Sequence, residues 1–156
     1  MKVARAFLYS AAALLLITAS AKLVSSFGSA KILLEQEPVF KVQFQMLFRI
    51  VGGLELVVAL ICLCNKRAWL PAALVSWLAT GFVAYRVCLW RIHWEKPCHC
   101  LGDLTDALHI SPQTADNAMK FILVYLLIGG YTTLFWLWRR KRKATLLTPS
   151  PYTGLA

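Results

Sequence analysis

Charge is what this chain has least of. Only 15% of its 156 residues are charged while 59% are hydrophobic, and the mean hydropathy is +0.62. A soluble domain of this size carries about one-quarter charged residues, so a water-facing globular fold is excluded. Acid is scarcer still: seven Asp and Glu stand against seventeen Lys and Arg, a net charge of +10. Alternation with period two is missing over any strand-length stretch, which excludes a transmembrane barrel. Internal repeats and a second domain are also missing.

What is there is apolar sequence in blocks. About twenty apolar residues cross a bilayer as a helix, and four segments qualify: 6–28, 44–64, 68–90 and 119–138. The fold class read from this pattern is all-α, an integral membrane four-helix bundle. Residues 1–143 form its membrane domain, and 144–156, with Pro149 and Pro151, read as a disordered cytoplasmic tail. Lys2, Arg5, Lys66, Arg67 and the run Arg139 to Lys143 put nine basic residues and no acid at one end. The other end mixes Lys31, Lys41, Arg91, Lys96 and Lys120 with Glu35, Glu37, Glu95, Asp103, Asp106 and Asp116. Basic short loops stay in the cytoplasm, so both termini are expected there. The partner implied by the basic end is the lipid bilayer, and no nucleic acid, because the cluster abuts a span.

The first segment admits a second reading as a cleaved signal peptide, with Ala19-Ser20-Ala21 at the cleavage site. Renewed apolar character at Leu23-Val24 and Phe27 favours a retained helix. Both readings leave the later loops on the same sides. Asn65-Lys66-Arg67 is too short for anything but an antiparallel hairpin. Pro71 suits a first helical turn, and Ser111-Pro112 reads as a helix start.

Topology sorts the five cysteines. Cys62 and Cys64 sit at the cytoplasmic end of the second segment and read as small buried apolar residues. Two apart on a helix, they point about 200° from one another and cannot pair. Cys98 and Cys100 lie in the longest polar connection, on the outer side. Pro97 restrains the backbone before them and Gly102 frees it after. A disulfide between them closes a ring of about eleven atoms, far from relaxed bridge geometry. Strained bridges are the labile, oxidising kind, and a neighbouring His99 imidazolium would favour the thiolate. The pair is therefore a candidate redox site, tuned by Pro97, His99 and Gly102. Two alternatives stay open: a static bridge in a membrane scaffold, with Cys88 available as a partner, and a copper site of Cys98, Cys100 and a histidine (His93, His99 or His109). Zinc is disfavoured by the spacing.

Charges inside the spans are costly enough to be functional candidates. Lys22, Arg49 and Arg86 lie close enough to the outer ends of their helices to snorkel. Glu55, within Gly52-Gly53-Leu54-Glu55, does not. A neutral, protonated Glu55 is one solution; a Lys22–Glu55 pair tying the first two helices is the favoured one, with both glycines allowing close approach. Cations in the outer leaflet would also set a positive potential beneath the thiols, able to lower a thiol pKa or attract an anion or a quinone.

Three motifs in this order resemble the MauE/DoxX superfamily of small four-span membrane proteins, and MauE in particular. They are Ala21-Lys22-Leu23, the Gly-Gly-Leu-Glu run from Gly52 to Glu55, and Cys98–Gly102 in place of the family's Cys-x-Cys-Phe-Gly. Leu101 replaces the usual Phe. The resemblance implies a bacterial plasma-membrane protein, with the Cys98/Cys100 loop on the periplasmic side. It also implies a role in maturing an exported, disulfide-rich client, which for MauE is the methylamine dehydrogenase small subunit. A thioredoxin-like protein is one electron acceptor for such a role. DoxX-type relatives are associated with quinone-linked sulfur oxidation, which adds a quinone as a candidate cofactor.

Overall fold

The computed structural model describes residues 2–27, 39, 41–65, 67–93 and 111–147. Four helices organise them: α1 (Lys2–Ser25), α2 (Phe44–Cys64), α3 (Trp69–Arg91) and α4 (Pro112–Leu147). All four are long and apolar enough to cross a membrane, so the chain is an all-α, multi-pass membrane bundle. The observed bounds of α2 coincide with the expected segment, and those of α3 differ by one residue at each end. The expected site residues Pro97, Cys98, His99, Cys100 and Gly102 lie outside the described residues. So do Trp94, His109 and the segment Asp103–Ile110.

The helices associate as two pairs. α1 packs most extensively on α2 and α3 on α4, with thinner contact between the pairs. On α1 the buried stripe is Leu8, Ala11, Ala12, Leu15 and Ala19, a three-and-four spacing that keeps one face inward. Ala11, Ala12 and Ala19 are fully buried. In lipid, where apolar residues gain little by leaving solvent, such small side chains let backbones approach and collect dispersion contacts. Outward-facing Ile50, Val57, Trp77, Phe121 and Ile128 are left exposed by the bundle, as a hydrocarbon-facing surface requires.

Helix ends follow local chemistry. The Thr114 backbone N–H donates to Ser111 Oγ at 3.2 Å, so Ser111 caps α4 and Pro112 opens it. The Arg67 N–H donates to Asn65 Oδ1 at 2.8 Å in the turn between α2 and α3. His93 adopts a left-handed φ of 53° just past the end of α3, a conformation that commonly stops a helix.

Two expectations need correction. α4 continues through the basic run to Leu147, so the first residues of the segment 144–156 extend the helix. Hydropathy falls at Arg139, but no helix breaker occurs in the sequence before Pro149. Cys62 is buried, whereas Cys64 is exposed. The 200° that keeps the two apart also turns Cys64 to the outside.

Candidate functional site

The four-residue spacing of Thr18 and Lys22 places both on the face of α1 that meets α2. Glu55 projects from the middle of α2, one turn after Gly52. A Cβ at Gly52 would stand 3.1 Å from Leu23 Cγ and 3.4 Å from the Ala19 carbonyl oxygen. A larger residue would therefore hold the helices apart. A Cβ at Gly53 would meet nothing within 4 Å, which corrects the expectation that both glycines serve the approach. Adjacent helical residues are rotated by about 100°, so only one of two neighbours can face a given partner.

Across this close contact Lys22 Nζ donates to Glu55 Oε1 at 2.7 Å and to Oε2 at 2.9 Å. Thr18 Oγ1 donates to Glu55 Oε2 at 3.1 Å. Lys22 is 5% exposed and Glu55 1%. Both carboxylate oxygens are thus occupied by donors, the condition under which a buried ion pair is tolerated. Lys22 Nζ also lies 5.7 Å from the centre of the Phe82 ring on α3. This contact crosses from one helix pair to the other.

A small cavity of about 60 Å³ opens between the pairs at this level. Thr18, Lys22 and Glu55 line one side, and Phe82, Tyr85, Arg86 and Met119 are among the residues on the other. By volume it has room for a few waters.

Further toward the 94–110 connection stands a second ionic cluster. Arg86 Nη2 donates to Asp116 Oδ1 at 2.7 Å, and Lys120 Nζ sits 2.7 Å from Asp116 Oδ2. This corrects the snorkelling reading of Arg86, whose side chain is only partly exposed and spans from α3 to α4. Arg49 behaves differently. It is exposed, lies 5.2 Å over the Phe27 ring, and reaches the Ser26 carbonyl at 3.5 Å. Gln45 Nε2 donates to the same carbonyl at 3.0 Å.

Sequence reasoning missed Thr18, Phe82 and Asp116. Thr18 carries a readable signal, being four residues before Lys22; Asp116 carries a similar one, four before Lys120. The contact with Phe82 is long-range and has no local signal. Cys88, the third cysteine named for a bridge, is exposed near the end of α3. Among the described residues no group of three His, Cys, Asp or Glu is arranged to hold a metal.

A multi-pass bundle with a buried acid–base pair between its first two helices, and a thiol-bearing connection between its last two, defines a class of small polytopic membrane protein. The family model described as methylamine utilisation protein MauE matches residues 1–139. The chain belongs to the MauE family. No curated protein and no solved structure matches it significantly.

Proposed function

We propose that this chain assists the maturation of an exported, disulfide-rich protein through thiol–disulfide exchange at Cys98 and Cys100. The observation that carries the reading is membership of a methylamine-utilisation membrane family by a chain with a Cys-x-Cys pair between its third and fourth spans. The client that the resemblance implies is the methylamine dehydrogenase small subunit.

The Cys-x-Cys spacing occurs twice in the chain, and the two instances differ. Cys62 and Cys64 are on α2 and face apart; Cys98 and Cys100 sit between Pro97 and Gly102 in a polar connection. The nine-to-none basic bias of the opposite end supports a cytoplasmic placement for that end and the inner membrane of a bacterium as the location. The 94–110 connection then faces the periplasm, where disulfides persist.

The exchange balances as follows. A client thiolate attacks one sulfur of the Cys98–Cys100 disulfide, forming a mixed disulfide and releasing the other cysteine as thiolate. The client's second thiolate displaces the first cysteine. The client leaves oxidised by two electrons, and the pair is left as a dithiol. A thioredoxin-like disulfide or a membrane quinone then accepts two electrons and two protons from it.

The test uses Cys98→Ser and Cys100→Ser separately, with the client co-expressed. Protein abundance should hold, because little folding stability rests on so short a loop. Client disulfides should fail to form, and one variant should accumulate a mixed disulfide with its partner. The wild-type pair should be reduced readily by a glutathione buffer, unlike structural bridges with potentials below roughly −300 mV. A pair that resists glutathione, traps nothing, and whose loss depletes the protein is a static scaffold bridge.

A further inference from the structure

The end of α4 carries an arrangement that thiol chemistry leaves unused. Phe135 and Trp138 lie three residues apart on its exposed surface, with ring centres 6.1 Å apart and planes 26° from parallel. The Arg139 guanidinium sits 4.6 Å over the Phe135 ring, and that of Arg142 sits 3.9 Å over the Trp138 ring. Both arginines are exposed. The four residues form a lozenge on one face of the helix, each cation four residues after its ring.

Stacking occupies the face of a guanidinium and leaves its in-plane N–H donors for another partner. Two such groups, three residues apart, therefore present their edges from one patch. The ligand they suit is a tetrahedral oxyanion that accepts two planar forks, which is the geometry of a phosphate. Among the described residues no acidic side chain pairs with them: the acid on α4 is Asp116, roughly 35 Å away along the helix at 1.5 Å per residue. Arg5 and Arg67, at the same end of the bundle, only add positive charge.

We propose that Arg139 and Arg142, stacked on Phe135 and Trp138, form a binding site for the phosphate of an anionic phospholipid. The source is the bilayer, because Trp138, the ring beneath Arg142, is of the amphipathic kind that settles at headgroup depth. A net-negative headgroup such as phosphatidylglycerol is preferred over a zwitterionic one. The ammonium of phosphatidylcholine would have to sit against a surface that holds cations and, among the described residues, no acid.

The site differs from a diffuse positive field in depending on the rings as well as the charges. The full chain is placed in phosphatidylcholine nanodiscs containing a minor fraction of phosphatidylglycerol, and retained lipid is read by native mass spectrometry. The parent should retain phosphatidylglycerol in excess of its bulk fraction. Arg139→Gln with Arg142→Gln should lower that retention by about fivefold per arginine. Phe135→Leu with Trp138→Leu, which keeps every charge, should also lower it several-fold. Arg5→Gln with Arg67→Gln removes the same charge from the same end and should change it less than twofold. The proposal is overturned if the ring variant retains lipid like the parent, if the Arg5/Arg67 control loses as much as the Arg139/Arg142 variant, or if phosphatidylcholine is enriched equally. Displacement of the lipid by millimolar inorganic phosphate would also overturn it, by making free phosphate the ligand.

Discussion

Removing Glu55 alone should be among the most damaging single changes in this protein, and removing Lys22 with it should repair part of the damage. At 2.7 Å and an effective dielectric near 20, the attraction between the two charges is about 6 kcal/mol. Extracting both ions from water consumes most of that gain, so the pair contributes little net stability. Stranding one member is another matter. Glu55→Ala leaves the Lys22 ammonium 5% exposed and, among the described residues, with no other carboxylate in an ion pair with it, and the loss should be about 3–5 kcal/mol. For a chain of this length that is a fall in Tm of roughly 6–20 °C. Lys22→Met with Glu55→Leu removes both charges and the unmet donor, and the Thr18 hydroxyl keeps the Leu15 carbonyl, 3.2 Å away, as its acceptor. The double variant should therefore lie above Glu55→Ala in Tm. Thermal unfolding in nanodiscs, with steady-state membrane level as a second readout, gives the cycle. Additive losses, with the double variant below both singles, would refute the pairing argument.

Two more predictions follow from the same frame. A membrane-impermeant maleimide applied to reduced spheroplasts should label Cys98 or Cys100 and spare Cys64, although Cys64 is exposed on the bundle surface; the reverse pattern would invert the proposed orientation. Gly52→Val should push α1 from α2 and lower Tm by several degrees, because Leu23 and the Ala19 carbonyl lie within 3.4 Å of the added carbon. Gly53→Ala has open space around it and should be neutral or slightly stabilising; equal damage from both would refute the one-sided contact.

The bundle was legible because hydrocarbon imposes length and apolarity on each span, and those are properties of consecutive residues. The same rule exposed Lys22 and Glu55, since a charge at that depth demands a partner and the sequence offers few. Hydropathy was a poor guide to where α4 stops. It reports where lipid ends, whereas the backbone continues through Arg139 to Leu147 until a breaker intervenes. Arg86 was misread for a related reason. Snorkelling is the solution open to a lone arginine, and Asp116 became its partner only through the packing of α3 on α4. The glycine and cysteine doublets failed more simply. In each, two residues close in sequence share a chemistry but not a helix face, so one of the two faces inward and the other does not.

The placement of the polar groups bears on the proposed exchange. The connection that holds Cys98 and Cys100 leaves from the end of α3 and returns at Ser111, the cap of α4, so both of its anchors belong to one helix pair. Arg86 and Asp116 tie those two helices together close to the anchors, at 2.7 Å, and this fixes the gap that the connection must bridge. Lys22 and Glu55 do the same for the other pair, one level deeper. Bracing both anchors fixes where the thiol-bearing connection begins and ends. In the proposed function Arg86 and Asp116 are therefore positioning residues for those anchors, and Arg86→Gln should slow re-formation of the Cys98–Cys100 bond more than it changes the chemistry of either sulfur.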